Sequence, residues 1–367
     1  MRDPGRERDV MRESKKELVI LSFTQAGTEL NRTVCSLLCQ RGMTCSGYTV
    51  KRCAGEGILP LPEEKTAFFE KRWGTCAFLF IGAAGIAVRY IAPWVKDKFT
   101  DSPVLVMDEK GCYVIPILSG HVGGAAELAE EIAQAAGAVT IHTTATDVQG
   151  KFAVDVFARK NGLVITDRVM AKKITAAVLD GEKIAFCVPQ DIRITGSMPE
   201  EFVLCREREE AEKFRCKILV ADSDAMPGNG CLLLKPKNVV VGVGCRRGIR
   251  EEDLEDGLRR VLGQHGLDLD QVEALASIDL KKEEPALLAL SGRYRIPFVT
   301  YPAEELREIR EVTQRSEFVE QTTGVDNVCE RAAQKYCETG TMIQGKWIGV
   351  SMTAALVRRP AVLSFDI

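Results

Sequence analysis

The residues best suited to chemistry lie in a glycine-rich turn, Ser119-Gly120-His121-Val122-Gly123-Gly124, between a predicted strand and a predicted helix. His121 is one of only three histidines, and an imidazole with an ordinary pKa of about 6.5 can act as a general base near neutral pH. Glycines let the backbone approach a ligand closely, and the start of a helix leaves N–H groups pointing outward. The turn could therefore bind an anion or stabilise an oxyanion.

Two other stretches repeat the order of strand, glycine turn and helix start. Gly82-Ala83-Ala84-Gly85 follows one apolar run and precedes Arg89, and Val243–Gly248 holds Cys245 and Arg246. A planar guanidinium can bind a carboxylate through two hydrogen bonds. Arg89 and Arg246, together with Lys98, are therefore candidates for binding the carboxylates of a substrate.

Each of these residues also has a purely structural interpretation. His121 could cap the helix or bond a strand end, and Arg89 could be an ordinary surface residue. Cys245 could be a nucleophile, but no histidine lies near it in sequence, and packing is favoured. Asp279, Lys281 and Glu284 are interpreted as a solvated turn and helix start rather than as catalytic groups.

Composition limits the classes of function. The 367 residues are 46% hydrophobic and 28% charged, which indicates two or three globular domains. With 49 basic and 52 acidic residues, the net charge of −3 gives no general attraction to nucleic acid or anionic lipid. The 13 cysteines are odd in number and scattered, which argues against a disulfide framework or zinc site and for reduced thiols.

Residues 1–16 carry many charges of both signs and lack the apolar core of a signal peptide, so they predict a disordered extension. No apolar run reaches the ~18 residues that a membrane span needs. We expect a cytoplasmic protein. The spacing in the 119–124 turn does not fit the dinucleotide fingerprint, which argues against a nicotinamide cofactor.

The elements that must position these residues indicate an α/β fold. Apolar residues spaced along 125–136 predict a helix with one buried face, and apolar runs predict strands at 18–23, 76–81, 104–107, 113–118 and 139–142. The turn residues of 108–111 predict a hairpin, 235–237 a linker, and 347–352 the C-terminal strand.

This order of elements predicts N-terminal and C-terminal α/β sandwich domains with parallel sheets, joined by a small α/β middle domain. The predicted bounds are 17–150, 151–236 and 237–367, after the extension at 1–16.

Three blocks, in this order, carry a resemblance to a known family. They are Gly82–Pro93 (G-A-A-G-I-A-V-R-Y-I-A-P), Leu118–Ala129 (L-S-G-H-V-G-G-A-A-E-L-A), and Val241–Gly248 followed by Ser277–Glu284. From about residue 17 the chain resembles the cobalt-precorrin-5A hydrolases of anaerobic cobalamin biosynthesis, the CbiG family. It departs from the family pattern at Ala126, where an asparagine is common, and at Asp101-Ser102-Pro103, where Asp-Pro-Ala is usual.

The resemblance implies a hydrolase acting on a carbon–carbon bond, in which water opens the δ-lactone of a cobalt corrinoid, releasing acetaldehyde and leaving cobalt-precorrin-5B. His121 is then the catalytic base, with the amides of Gly123 and Gly124 as an oxyanion hole. The expected substrate-binding residues are Gly85, Arg89, Lys98, Ser119, Gly120, Gly123, Gly124, Cys245 and Arg246.

The resemblance also implies no cofactor and no protein metal site, because the cobalt is carried by the substrate. The expected partners are the corrinoid substrate and neighbouring pathway enzymes, with no nucleic acid and no membrane. A non-catalytic protein that binds or hands over corrinoids in the same pathway remains the alternative. An unrelated α/β hydrolase or transferase is disfavoured because G-x-S-x-G and P-loop patterns are absent.

Overall fold

The computed structural model describes residues 17–97, 100–120, 123–190, 192–221 and 228–366, without the side chains of Asp147 and Arg208. The chain divides after Lys151 into two compact units. The predicted extension at 1–16 lies outside the described residues.

The first unit is built on one seven-stranded sheet in the order β3-β2-β1-β4-β5-β6-β7. Its strands are β1 Leu18–Ser22, β2 Cys45–Thr49, β3 Leu59–Pro60, β4 Ala77–Ile81, β5 Val104–Met107, β6 Tyr113–Leu118 and β7 Val139–Thr140. Its helices are α1 Gln25–Gln40, α2 Lys65–Glu70, α3 Ala84–Ile91, α4 Ala125–Ala136 and α5 Ala145–Gln149.

Helices cover both faces of this sheet. Along β4, alternate side chains point to opposite faces: Leu79 and Ile81 pack with residues of α1 and α4, whereas Phe78 and Phe80 pack with residues of α2 and α3. The centre of the sheet is buried on both sides, which explains why its strands are continuous apolar runs.

The direction of the strands differs from the prediction of a parallel sheet. Strands β1 to β5 are parallel, but the hairpin at 108–111 reverses the chain, and β6 runs antiparallel to β5. Strand β7 then pairs parallel to β6. The sheet is mixed, and the strand predicted at 139–142 is confined to Val139–Thr140.

The second unit begins with a five-stranded sheet in the order β11-β9-β12-β13-β8, in which only the edge strand β8 is antiparallel. Its strands are β8 Leu163–Ile165, β9 Ile184–Cys187, β10 Arg193–Thr195, β11 Phe202–Cys205, β12 Cys216–Val220 and β13 Cys231–Pro236. Strand β10 lies outside this sheet. The helices are α6 Val154–Lys160, α7 Arg168–Leu179 and α8 Arg208–Ala211.

A second five-stranded sheet follows in the order β16-β15-β14-β18-β17. Its strands are β14 Val239–Cys245, β15 Val272–Ile278, β16 Phe298–Tyr301, β17 Thr341–Gly349 and β18 Met352–Arg358. The helices are α9 Glu251–Gly263, α10 Pro285–Tyr294, α11 Ala303–Arg307, α12 Glu317–Thr323 and α13 Val328–Tyr336.

This sheet is also mixed, because β18 runs antiparallel to β14. Helices α9 and α10 pack on one face, and α11 and α13 on the other. The contact with α13 requires Gly242, since a β-carbon there would lie 1.8 Å from the carbonyl oxygen of Cys329.

Two predictions about the second unit are wrong. The expected linker at 235–237 is occupied by the end of β13, where Lys235 and Pro236 are buried. The single C-terminal strand predicted at 347–352 spans the end of β17, the hairpin turn and the first residue of β18. In both places pairing between strands overrides the local sequence signal.

The chain ends in a segment, Ala361–Asp366, that we call the C-terminal strap. Its strand, β19 Val362–Ser364, pairs with β10, and Phe365 is buried, its ring centroid 4.8 Å from that of Phe157 and 5.2 Å from that of Phe186. The side chain of Asn161 donates to the Ser364 carbonyl at 2.9 Å and accepts the Ser364 N–H at 2.6 Å. The last residues of the sequence therefore complete the core around β9.

Candidate functional site

One predicted turn of the first unit lies at the carboxyl ends of its parallel strands. Gly82 follows β4 with φ +141°, a conformation that favours glycine, and α3 begins two residues later. The guanidinium of Arg89 donates to the Gly85 carbonyl at 3.2 Å, and its side chain is exposed. Gly85 and Arg89 are thus neighbours, as their i, i+4 spacing on a helix requires.

The turn at 119–124 lies at the opposite edge of the same sheet. Because β6 is antiparallel to β5, its last residue, Leu118, pairs with the first residue of β5, Val104. A strand of five residues is about 16 Å long. The structure therefore brings Ser119, Gly120, Gly123 and Gly124 together and leaves Gly85 and Arg89 at the other edge.

The described part of the 119–124 turn is tightly constrained. Ser119 adopts φ 55° and Gly124 φ 83°, and a β-carbon at Gly123 would lie 2.4 Å from the β-carbon of Ser119. The N–H groups of Ala125 and Ala126 donate to the carbonyls of Ser119 and Gly120 at 3.2 and 3.0 Å. These two donors are used within the turn and are not available to an oxyanion; the roles predicted for the amides of Gly123 and Gly124 stay predictions.

A second loop supports this turn. The hydroxyl of buried Ser119 donates to the backbone carbonyl of Asp101 at 3.2 Å. The buried carboxylate of Asp101 accepts hydrogen bonds from the backbone amide of Lys96 and from the indole of Trp73. Asp101 therefore orders the loop that leads into β5.

His121 and Lys98 lie outside the described residues, so their predicted roles stay predictions. The carboxylates of Asp108, Glu109 and Glu127 are the alternatives to His121 as the base. Asp108 and Glu109 belong to the β5–β6 turn at the far edge of the sheet, where Glu109 accepts a hydrogen bond from the Thr24 hydroxyl at 2.6 Å. Only Glu127, in the first turn of α4, lies at the same edge as Ser119.

In the second unit, the parallel strands β14, β15 and β16 end at one edge. Strand β14 ends at Cys245 and is followed by a turn that begins with Arg246, and the turn after β15 is Asp279–Glu284. An open cleft of about 700 Å³ lies beside β15 and β16 and is lined by Ile278, Asp279, Leu280, Lys282, Glu283, Thr300, Pro302, Ala303 and Thr323. Such an edge is the usual position for a ligand in an α/β sheet.

The buried carboxylate of Glu284 joins these two turns. The side chain of Glu284 is only 3% exposed, and its carboxylate accepts the Gly248 N–H at 2.9 Å and the Lys281 ammonium at 3.3 Å. The interpretation of Glu284 as part of a solvated turn is therefore wrong. The sequence contained one signal, the repeated pairing of Lys281-Lys282 with Glu283-Glu284, but spacing alone does not show which member is buried.

Cys245 lies next to this ion pair. Burial raises the pKa of its thiol to about 11, although the Lys281 ammonium acts in the opposite direction. The thiol is therefore protonated at neutral pH, and a nucleophilic role is unsupported. The neighbouring Arg246 is fixed through its backbone, since its N–H donates to the Ser351 carbonyl at 2.9 Å, and its side chain is exposed.

One buried acid in the second unit was missed altogether. Glu330 on α13 is fully buried, and its carboxylate accepts hydrogen bonds from the Thr313 amide, the Thr313 hydroxyl and the Lys346 amide at 2.5–2.6 Å. It fixes the segment before α12 to the sheet. The only signal in the sequence was that Glu330 and Arg331 lie between Cys329 and Ala332, two residues of the predicted apolar face.

Neither a metal site nor a membrane span was found in the part of the chain that the structure describes. Within those ranges, no group of three or more His, Cys, Asp or Glu side chains is placed to hold a metal ion. No helix among the same residues combines the length and the apolar character needed to cross a membrane.

Comparison with known proteins gives consistent matches along the chain. Three family models match in order: the cobalamin synthesis G N-terminal model at residues 67–147, the cobalamin biosynthesis central region at 152–233, and the cobalamin synthesis G C-terminus at 239–357. The middle of the chain thus has a family model of its own.

Two relatives carry the same name. A cobalt-precorrin-5A hydrolase of Salmonella typhimurium is 33% identical over 327 residues, covering 87% of this chain and 91% of the relative. A cobalt-precorrin-5A hydrolase of Priestia megaterium is 34% identical over 79% of this chain and 80% of the relative. A solved cobalamin biosynthesis protein G homolog from Sulfolobus solfataricus is 22% identical over 94% of this chain and 98% of its own, with a TM-score of 0.42.

Proposed function

This chain belongs to the CbiG family of cobalt-precorrin-5A hydrolases, and we propose that it opens the δ-lactone of its cobalt corrinoid substrate with water and releases acetaldehyde. The observation that carries this proposal is the 33% identity to a hydrolase of that name over 87% of the chain. The enzyme class follows from the family, whereas the bond that breaks and the fragment that leaves are the proposed part.

The reaction balances with water as the only co-reactant. A hydroxyl adds to the lactone carbonyl, the ring C–O bond breaks, and the products are a carboxylate and an alkoxide. The alkoxide then forms a C=O bond as its C–C bond to the macrocycle breaks, and acetaldehyde leaves. The macrocycle takes the electron pair and then the proton from water, giving cobalt-precorrin-5B.

The 119–124 turn is the proposed catalytic centre. His121 would accept the proton of the attacking water, and the amides of Gly123 and Gly124 would bind the tetrahedral oxyanion. In support, the hydrogen bonds of the Ala125 and Ala126 amides to Ser119 and Gly120 tie the start of α4 to the turn, and fixed donors are worth most to a developing charge.

The remaining proposed contacts bind the substrate. Gly85 and Arg89, Lys98, and Cys245 with Arg246 would contact the corrinoid, the basic side chains through its carboxylates. The proposal includes no cofactor of the protein's own, because the cobalt enters with the substrate. It assigns the reaction to the cytoplasm, where neighbouring pathway enzymes would supply the substrate and take up the product.

We expect the purified protein to release one acetaldehyde per cobalt-precorrin-5A consumed. Acetaldehyde is trapped as a hydrazone and measured by mass spectrometry while the absorbance spectrum follows the corrinoid. Water labelled with ¹⁸O should place one label in the new carboxylate. Binding of the corrinoid without any acetaldehyde would contradict the proposal and favour a handover protein.

A further inference from the structure

Three exposed cations lie on the two turns that Glu284 joins. Arg246 and Arg247 follow β14, and Lys282 follows β15. Within the described ranges, none of the three forms an ion pair with another side chain. By contrast Arg250, also exposed, makes two hydrogen bonds of 2.7 Å with Asp253. The three cations are therefore available to an anionic ligand at this edge of the sheet.

The ion pair of Lys281 and Glu284 loses hydration free energy on burial, and that loss must be compensated. Moving a carboxylate and an ammonium out of water is unfavourable, and good geometry is needed to offset that cost. Glu284 has such geometry, with one oxygen on the Gly248 amide of the arginine turn and the other on Lys281 of the next turn. A single buried side chain thus fixes the separation of the two turns.

Apolar side chains are exposed near the same edge. Leu280 is 67% exposed beside Lys282, and Ile348 and Val350, 68% and 72% exposed, flank the hairpin turn that binds the Arg246 backbone. Lys282 lines the cleft beside β15 and β16 together with Asp279 and Glu283, whereas the two arginines follow β14. Cations beside apolar groups are complementary to a flat macrocycle with carboxylates at its rim.

We propose that Glu284 is a positioning residue for a polycarboxylate-binding rim, formed by Arg246, Arg247 and Lys282, that holds the edge of a tetrapyrrole. The rim contacts the ligand, and Glu284 acts through the rim. The kind of ligand rests on the proposed function, but the rim itself is tested by binding alone.

The test uses the full-length protein and cobyrinic acid, a cobalt corrin with free carboxylates. Equilibrium dialysis measures its binding through the absorbance of the corrin. Cobinamide, in which amides replace all of these carboxylates, is the comparison ligand. We expect cobyrinic acid to bind at least about tenfold more tightly, since each charge-assisted hydrogen bond contributes on the order of a tenfold factor. Equal binding of both ligands would overturn the proposal.

Two variants of Glu284 separate positioning from simple charge. Glu284→Gln removes a negative charge, so electrostatics alone predicts tighter binding of an anion, whereas loss of positioning predicts weaker binding. Glu284→Asp keeps the charge but withdraws the carboxylate, so only a positioning role predicts a loss. We expect both variants to weaken cobyrinic acid about tenfold and to raise KM without changing kcat. Unchanged or tighter binding in both would refute the role of Glu284.

The arginines have a matched control in the same loop. Arg246→Gln and Arg247→Gln should each weaken cobyrinic acid about tenfold, whereas Arg250→Gln, the same change of charge, should leave it within about twofold because Arg250 is already paired. An equal loss of affinity in all three variants would show that these arginines attract the ligand only through the net charge of the loop. Normal binding by Arg246→Gln and Arg247→Gln would refute the proposed rim. If the wild type still released acetaldehyde, the proposed hydrolase function would stand.

Discussion

The variant His121→Ala is expected to lower kcat by about 10²–10⁴-fold, the usual contribution of a general base, with little change in corrinoid affinity. A base that acts only in the transition state contributes to turnover and not to binding of the ground state. A histidine with a structural role would behave differently, because its loss would lower the melting temperature and weaken binding and turnover together.

The measurement is single-turnover acetaldehyde release at saturating substrate, with thermal unfolding recorded for each variant. The matched control is His142→Ala, in the same unit, since His142 is partly exposed and its ring nitrogen is bonded to Glu130 at 2.8 Å. It should turn over at nearly the wild-type rate. Near-normal turnover by a well-folded His121→Ala variant would show that His121 is not the base. Glu127, in the first turn of α4, would then be the next candidate.

The variant Phe365→Ala should lower the free energy of unfolding of the second unit by about 3–5 kcal/mol, the range for removing a buried phenylalanine. Phe365 lies on the C-terminal strap, and its ring packs against those of Phe157, Phe186 and Phe202. Its removal would leave a cavity that the surrounding rings can fill only in part.

Urea unfolding followed by circular dichroism gives the stability, and hydrogen exchange shows where the loss occurs. Protection should fall first in β9 and α6, which hold Phe186 and Phe157. Val362→Ala is the control, because Val362 lies on the same strap but is 51% exposed, and such changes usually cost less than about 0.5 kcal/mol. Equal stabilities for the two variants would show that the strap is not part of the core.

Much of the local structure was predictable because it depends on neighbours in sequence. The helix expected at 125–136 is α4, and the strand expected at 113–118 is β6. The turn residues of 108–111 also predict the reversal between β5 and β6 correctly. Because of that hairpin β6 runs antiparallel to β5, so the 119–124 turn lies at the opposite end of the strands from Gly85.

Contacts between residues far apart in sequence were not predictable in the same way. Glu284 is 36 residues from Gly248, and nothing in the spacing shows that its carboxylate turns inward to an amide. Phe365 is separated from the phenylalanines it meets by the whole of the last sheet. Local periodicity records which face of an element is buried, but it does not record which element covers that face.

The C-terminal strap has a consequence for how the protein is made. Synthesis proceeds from the N-terminus, and domains generally fold as they emerge. The sheet around β9 emerges early, but Phe365 and the strand that pairs with β10 are translated only after the whole of the β14–β18 sheet. Until they emerge, the sheet around β9 has an unfilled apolar centre, which chaperones could bind. A chain cut short by a premature stop codon would remain in that state, which would mark it for degradation.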